Sequence, residues 1–122
     1  MPRFAILEHR WGGVHWDFLL EHGGALRTWA LEAPIEPGRE VTARALPDHR
    51  LVYLEYEGAV SGGRGTVRRV DGGTYEARTW AAELVRVRLA GAQLVGEAEL
   101  RRIQAGAAET PLGWVFRFGK VD

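Results

Sequence analysis

Apolar and polar residues alternate with a period of two along most of the chain, which is typical of β-strands with one buried face. The clearest examples are Leu84–Leu89 and Leu94–Leu100, which are separated by a turn signal at Gly91–Ala92. These segments predict a hairpin in which Arg86 lies near Glu97 on the solvent-exposed face.

Glycine-containing turns predict two further hairpins. Asp71–Gly73 separates the strand candidates Gly65–Val70 and Thr74–Arg78, and Gly23–Gly24 separates two more. The other candidate strands are Phe4–Glu8, His15–Leu20, Ala25–Leu31, Glu40–Leu46, Leu51–Tyr56 and Trp114–Phe118. The predicted loops are Ala33–Arg39, Ser61–Gly65 and Gln104–Gly113, of which Gln104–Ala108 is expected to be the most mobile stretch. About eight short strands at this spacing predict an all-β fold, a small β-barrel.

The composition narrows the class of protein further. With 122 residues the chain is long enough for one domain, which we assign to residues 1–122. It has no cysteine, which excludes disulfides and thiolate chemistry, and no apolar run long enough to span a membrane. Because we find no signal peptide, we expect a cytoplasmic protein. The net charge of zero argues against strong non-specific nucleic-acid binding, although a local basic groove remains compatible with it.

Two histidines and an aspartate stand close together near the N-terminus. On a strand, residues two apart share a face, so His15 and Asp17 lie on one side. A turn at Gly12–Gly13 would bring His9 alongside His15. Two imidazoles and a carboxylate suit Mn, Fe, Co or Zn, and three protein ligands leave positions for water or substrate. The alternative is a polar cluster that binds no metal and only forms hydrogen bonds.

Three other side chains have both a functional and a structural interpretation. His49 follows a turn and is either a general acid or phosphate contact, or a surface histidine. Trp11 lies between the two histidines and either closes the end of the barrel or stacks on a base. Arg64, within the glycine-rich run Gly62–Gly65, is interpreted as part of a hairpin connector.

These residues, taken together, resemble the 3′-phosphoesterase domain of bacterial DNA ligase D. The likeness runs in order through His9, His15, Asp17-Phe18, Leu20-Glu21, Gly24–Ala30, Asp48-His49, Tyr53, Glu57-Gly58, Gly65–Val67, Leu89, Leu94, Gly96, Leu100, Trp114 and Phe116. It covers nearly the whole chain, and the ordered set is far more specific than any one motif.

The resemblance implies a small β-barrel with a divalent metal in a crescent groove. The metal is usually manganese in the family, and zinc or cobalt are alternatives for this chain. The family removes a 3′-phosphate, and in some members a 3′-terminal ribonucleotide, from DNA ends before end joining. The motif assigns His9, His15 and Asp17 to the metal, and His49 and Tyr53 to the phosphate and catalysis.

The chain departs from the family pattern at several positions. Leu19 stands where the family usually has a phosphate-binding arginine, and the family lysine has no match within Trp29–Pro34. The family's N-terminal arm has no counterpart ahead of the first strand, so we expect a short, free-standing branch of the family. Arg10, Arg44 or Arg50 are the predicted substitutes for the missing phosphate contacts.

Two functions follow as hypotheses. The first is a metal-dependent phosphoesterase acting on DNA or RNA-containing 3′ ends in DNA end repair, with activity weakened by the missing contacts. The second is a non-catalytic module that binds a metal or a nucleic-acid end. A phosphoesterase should have His49 and at least one arginine beside the metal ligands, whereas a binding module could leave that space apolar or closed. A ligase or polymerase supplied in trans is a candidate partner, and the oligomeric state is left open.

Overall fold

The computed structural model describes residues 1–103 and 113–120, so the predicted loop Gln104–Gly113, with its stretch Gln104–Ala108, lies outside them apart from Gly113. Nine strands and one 3₁₀ helix make up the described chain. The strands are β1 (Arg3–Arg10), β2 (Val14–His22), β3 (Ala25–Leu31), β4 (Glu40–His49), β5 (Gly58–Ala59), β6 (Thr66–Trp80), β7 (Leu84–Gly91), β8 (Val95–Arg102) and β9 (Gly113–Lys120). The 3₁₀ helix, Leu51–Leu54, follows β4. In the described part of the chain, no helix has the length and apolar character that a membrane crossing requires.

Eight of the strands form a closed ring of antiparallel pairings. The order is β1-β2-β3-β4-β9-β8-β7-β6, and β6 pairs with β1 to complete the ring. The two-residue strand β5 pairs with the beginning of β6. Closure satisfies the backbone groups that the edges of an open sheet leave unpaired. The predicted all-β class and the number of strands in the closed sheet are confirmed.

The main core fills the inside of the ring. Alternate residues of the strands point inward, as the period-two pattern predicts. The largest fully buried members of this core are Phe4, Ile6, Phe18, Leu20, Trp29, Leu31, Leu89, Phe116 and Phe118. Burying each such side chain stabilises the fold by about 1.5–3 kcal/mol relative to leaving it exposed.

A second apolar cluster covers the outer face of β1 and β2. Its buried members are Ala5, Leu7, Leu19, Leu26, Leu54 and Val67. The predicted strand Leu51–Tyr56 is wrong, because its first four residues form the 3₁₀ helix. This helix carries Leu54 into the second cluster, where the side chain is buried. The apolar run therefore covers a sheet face and does not extend the sheet.

The sequence predicted a hairpin turn at Asp71–Gly73, and this prediction is wrong. The segment forms the middle of the 15-residue strand β6. Neither Gly72 nor Gly73 has the positive φ that a tight type I′ turn requires. The glycines serve close packing instead, because a Cβ added at Gly73 would lie 2.2 Å from the carbonyl oxygen of Ala90. β6 can therefore pair with β1 along one edge and with β7 along the other.

Asp71 also sets the register of the β7–β8 hairpin. Its buried carboxylate accepts hydrogen bonds from the backbone N–H groups of Ala92, Gln93 and Leu94. These bonds shape a connection longer than the predicted Gly91–Ala92 turn. Arg86 consequently faces Glu99, at 3.4 Å between Nη2 and Oε2, and does not face Glu97 as predicted.

Candidate metal centre

Three potential metal ligands meet on the outer face of β1 and β2. His9 pairs directly with His15 across the two strands, and Asp17 follows two residues later on the same face. His15 Nε2 lies 3.1 Å from His9 Nδ1 and 3.0 Å from Asp17 Oδ1. Asp17 Oδ2 lies 3.7 Å from His9 Nδ1. One donor atom from each residue thus lies within 4.8 Å of the other two.

The second ring nitrogen of His9 has a partner of its own. His9 Nε2 lies 2.8 Å from the carbonyl oxygen of Arg64, which can only accept a hydrogen bond. This contact assigns the ring proton to Nε2 and leaves Nδ1 with the free lone pair. Histidines that bind metals usually make such a contact through the nitrogen that does not bind the ion.

The surroundings of Asp17 fit a divalent cation. Asp17 is 2% exposed, and its contact with His15 lacks hydrogen-bond geometry, so Oδ1 has no hydrogen-bond partner among the described residues. An unpartnered buried oxygen costs about 1–3 kcal/mol, and a bound cation would remove that cost. Atoms that bind one ion at about 2.1 Å in adjacent positions lie about 3 Å apart, as do two of the three donor pairs here. The donor set suits Mn, Fe, Co or Zn.

A groove of about 460 Å³ opens beside these donor atoms. The residues that line it include His9, Trp11, Asp17, Leu46, Pro47, Asp48, His49, Arg50, Tyr53, Val60, Arg64 and Val67. Its volume falls within the range of roughly 300–1,000 Å³ that is usual for small-molecule sites. The sheet, the 3₁₀ helix and the segment before β6 all contribute to the groove, so it exists only in the folded chain.

The predicted phosphate contacts His49, Tyr53 and Arg50 lie in this groove. His49 Nδ1 is 2.9 Å from the carbonyl oxygen of Pro47, which assigns a proton to Nδ1 and leaves Nε2 for another partner. The His49 and Tyr53 rings meet edge to face with centroids 5.8 Å apart, and Arg50 lies over the Tyr53 ring at 6.0 Å. An imidazole, a phenol and a guanidinium are thereby brought next to one another.

The other two predicted arginines lie elsewhere. Arg10 is on the opposite face of β1 from His9, and its Nε donates a hydrogen bond to Glu8 Oε1 at 3.1 Å. Arg44 is aligned with Asp17 across β3, on the outer face, but it is not among the residues that line the groove. Arg50 is therefore the predicted arginine that a ligand in the groove would meet.

Sequence reasoning missed one feature of the groove and left a second one open. The carbonyl contact from Arg64 to His9 joins residues 55 positions apart, and the run Gly62–Gly65 indicated only a connector. Glycine next to a residue does not by itself identify such a contact. For Trp11 the sequence left two interpretations open, and the structure favours the second, because the side chain is exposed at the groove and does not close the end of the ring.

Gly65 holds the Arg64 carbonyl close to His9. Its φ is 80°, and a Cβ added there would lie 1.9 Å from the carbonyl oxygen of Arg10. Replacing Gly65 by alanine is expected to displace the Arg64 carbonyl and to weaken metal affinity about 10- to 100-fold, the usual range when such a supporting contact is lost. Calorimetric titration with Mn²⁺ measures the change.

Gly63 provides the matched control for this substitution. Its φ is 69°, similar to that of Gly65, but an added Cβ would meet nothing within 4 Å. Gly63→Ala therefore introduces comparable backbone strain without the collision, and its metal affinity should match that of the parent protein. Equal losses in both variants would show that strain, and not the carbonyl contact, controls the affinity.

The fold and the cluster together define a class: an all-β protein with a His–His–Asp set suited to a divalent cation, set beside a groove. Comparison with known families narrows this class to one. Residues 7–102 match the family described as the DNA ligase D 3′-phosphoesterase domain, and the chain belongs to this family. The resemblance noted from the motifs is thereby confirmed.

Individual relatives agree with this assignment. The multifunctional non-homologous end joining protein LigD of Mycobacterium bovis is 37% identical over 78 residues, which are 60% of this chain and 10% of the relative. The LigD protein of Pseudomonas aeruginosa is 33% identical over 63 residues, which are 50% of this chain and 8% of the relative. The chain therefore spans about a tenth of the length of the curated relatives it matches.

Leu19, where the resemblance led us to expect an arginine, has a structural role here. It is fully buried in the second apolar cluster together with Leu54 of the 3₁₀ helix. A charged side chain at this position would be desolvated under the helix at a high energetic cost. The leucine at this position and the apolar covering of β2 thus belong to one packing arrangement.

Proposed function

We propose that this protein is a metal-dependent phosphoesterase that removes phosphate from the 3′ ends of DNA strands during end repair. The observation that carries the proposal is the groove, which His49, Tyr53 and Arg50 line together with His9 and Asp17. Membership of the DNA ligase D 3′-phosphoesterase family supports the reaction class. The relatives' names, which refer to non-homologous end joining, support the setting of DNA repair.

His9 Nδ1, His15 Nε2 and Asp17 would hold the cation. We propose manganese, and zinc or cobalt would suit the same donors. The bound cation supplies Lewis-acid chemistry, because it withdraws negative charge from a phosphoryl oxygen. The buried, unpartnered Asp17 oxygen supports this assignment, since it gains a partner when the cation binds.

The remaining groove residues account for the proton and the phosphate. Hydrolysis forms a bond from a water oxygen to phosphorus, breaks the ester bond to the 3′ oxygen, and returns a proton to that oxygen. The Pro47 carbonyl holds the Nδ1 proton of His49, so Nε2 would act as the general acid from the protonated imidazolium, in which it carries the second proton. The proton that the attacking water loses would then restore the imidazolium. The Tyr53 hydroxyl and the Arg50 guanidinium would donate hydrogen bonds to phosphate oxygens. Of the three arginine candidates we assign this role to Arg50, because Arg10 and Arg44 do not line the groove.

A non-catalytic binding module is the alternative function. Such a module would keep the metal ligands but would need no general acid next to them. The presence of His49 and Arg50 in the groove favours the phosphoesterase. The proposed substrates are DNA ends with a 3′-phosphate or a 3′ ribonucleotide. A ligase or polymerase acting on the same end in trans is the proposed partner.

Phosphate release from a 3′-phosphate-ended primer–template, with and without Mn²⁺, tests the proposal. We expect manganese-dependent release that is abolished in Asp17→Asn and reduced about 100-fold or more in His49→Ala. Glu97→Gln, on β8 and outside the groove, serves as the control and should retain full activity. No release by a parent protein that binds manganese would overturn hydrolysis and favour the binding module. Equal release without manganese would overturn metal dependence.

A further inference from the structure

Trp11 is the one side chain among the tryptophans, tyrosines and phenylalanines that the fold leaves largely exposed. All tryptophans, tyrosines and phenylalanines lie among the described residues, and Trp11 alone of them is largely exposed, with 57% of its surface accessible. A tryptophan is usually well buried, because removing its large apolar ring from water stabilises the folded state. Because the indole is not buried, packing in the core does not explain why a tryptophan stands at this position.

The position of the indole connects it to the metal centre. Trp11 lines the groove, and its ring is nearly parallel to the His9 imidazole, with an angle of 25° and centroids 6.3 Å apart. His9 is itself one of the three proposed metal ligands. Only the His9 imidazole thus lies between the indole and the donor atoms. This separation is short compared with the length of a nucleotide.

The backbone beneath the indole is well fixed. The backbone N–H of Trp11 donates a hydrogen bond to the Gly13 carbonyl at 3.0 Å, and this bond closes the turn between β1 and β2. The opposing segment packs so closely that a Cβ added at Gly65 would lie 2.8 Å from the Trp11 Cβ. A backbone fixed in this way does not have to be ordered when a ligand binds, so contacts of the Trp11 side chain contribute more fully to affinity.

The rest of the groove matches the other parts of a nucleotide. Arg50 and Arg64 contribute positive charge for a phosphate, and Leu46 and Val60 contribute apolar surface. The Arg64 Nε already donates to the carbonyl of Ser61 at 2.8 Å, so the arginine is held at the groove. An exposed aromatic face next to such cations is the arrangement with which proteins bind single-stranded ends, by stacking on the bases.

We propose that Trp11 is the stacking site for the nucleobase of the strand end whose 3′-phosphate lies at the metal centre. The inference rests on the proposed function and adds the part of the substrate that the phosphate contacts do not recognise. Because every base offers an aromatic face, the site would accept all four bases but would distinguish a nucleoside end from an abasic end. Stacking on one aromatic side chain changes affinity by roughly tenfold.

Fluorescence anisotropy with two labelled primer–templates tests the inference. Both end in a 3′-methylenephosphonate, which replaces the 3′-phosphate because the proposed activity would remove a phosphate during the titration. One carries a base on the terminal sugar, and the other is abasic. In the presence of Mn²⁺, the parent protein should bind the end with a base roughly tenfold more tightly. Trp11→Ala should remove this difference, because it should lower the affinity only for the end with a base. Trp11→Phe should restore part of the difference. Val95→Ala, which truncates an exposed apolar side chain outside the groove, should change neither affinity.

The outcomes separate this inference from the proposed function. A parent protein that binds both ends equally overturns the stacking site and leaves the phosphoesterase proposal intact. If Trp11→Ala lowers the affinity for both ends equally, the stacking site is also overturned, because the indole would then act only on the metal centre. Binding of neither end by a parent protein that binds manganese overturns the proposed function itself, together with the stacking site.

Discussion

Replacing Asp17 by asparagine is expected to lower manganese affinity at least about 100-fold without destabilising the metal-free fold. The carboxylate is one of three donors, and the loss of one donor and its negative charge should exceed the 10- to 100-fold typical of a lost supporting contact. The side chain is buried and its Oδ1 has no hydrogen-bond partner among the residues described. A neutral amide of the same shape is less costly to bury, so the free energy of unfolding should stay within about 1 kcal/mol or increase.

Two measurements on the same variant test this combination. Calorimetric titration with Mn²⁺ gives the affinity, and urea unfolding in the presence of a chelator gives the free energy of unfolding. Glu21→Gln is the matched control on the same strand, since Glu21 pairs with Arg3 at 3.0 Å away from the groove. Its metal affinity should equal that of the parent protein. Unchanged manganese affinity in Asp17→Asn would remove Asp17 from the ligand set.

Replacing Asp71 by alanine is expected to lower the free energy of unfolding by about 3 kcal/mol. Asp71 is 5% exposed, and its carboxylate accepts hydrogen bonds at 3.0, 3.2 and 2.8 Å from three consecutive backbone N–H groups, those of Ala92, Gln93 and Leu94. Hydrogen bonds to a charged acceptor are stronger than neutral ones, and alanine would remove the acceptor from all three donors at once. The expected loss is a large part of the roughly 5–15 kcal/mol that holds a domain folded.

Urea unfolding of the metal-free protein measures this loss. Asp71→Asn keeps one acceptor oxygen in the same shape and should lose about half as much stability as the alanine variant. Glu76→Ala removes an exposed carboxylate that pairs with Arg78 on the same strand, and it should cost less than about 1 kcal/mol. If Asp71→Ala costs no more than Glu76→Ala, the three hydrogen bonds do not stabilise the β7–β8 connection as argued.

The same aspartate explains why part of the fold was not predictable. An aspartate followed by two glycines is a strong local signal for a hairpin turn. In the folded chain Asp71 instead binds the connection between β7 and β8, and Gly73 allows the backbone of β7 to approach. Both roles depend on residues about 20 positions away. The local sequence therefore indicated that the backbone at Asp71–Gly73 has a special role, but the turn that it predicted is wrong.

The candidate metal centre was more predictable than the groove beside it. His9, His15 and Asp17 are joined by one hairpin, so alternation and a short turn were enough to bring them together. His49 and Arg64 reach the groove from segments that are distant in sequence. Their positions follow from the closure of the ring and from the covering 3₁₀ helix, which the apolar run Leu51–Tyr56 did not reveal.

The sequence by itself determined the all-β class, the pairing of His9 with His15, and the family. Each of these depends on residue order or on contacts within a single hairpin. The tertiary structure alone decided that the cluster lies on the outer face of the ring and that a groove with an exposed Trp11 opens beside it. The physical reason is that a period of two fixes which side chains share a face of a strand. Which face then becomes covered depends on segments that are remote in the sequence and meet only when the chain folds.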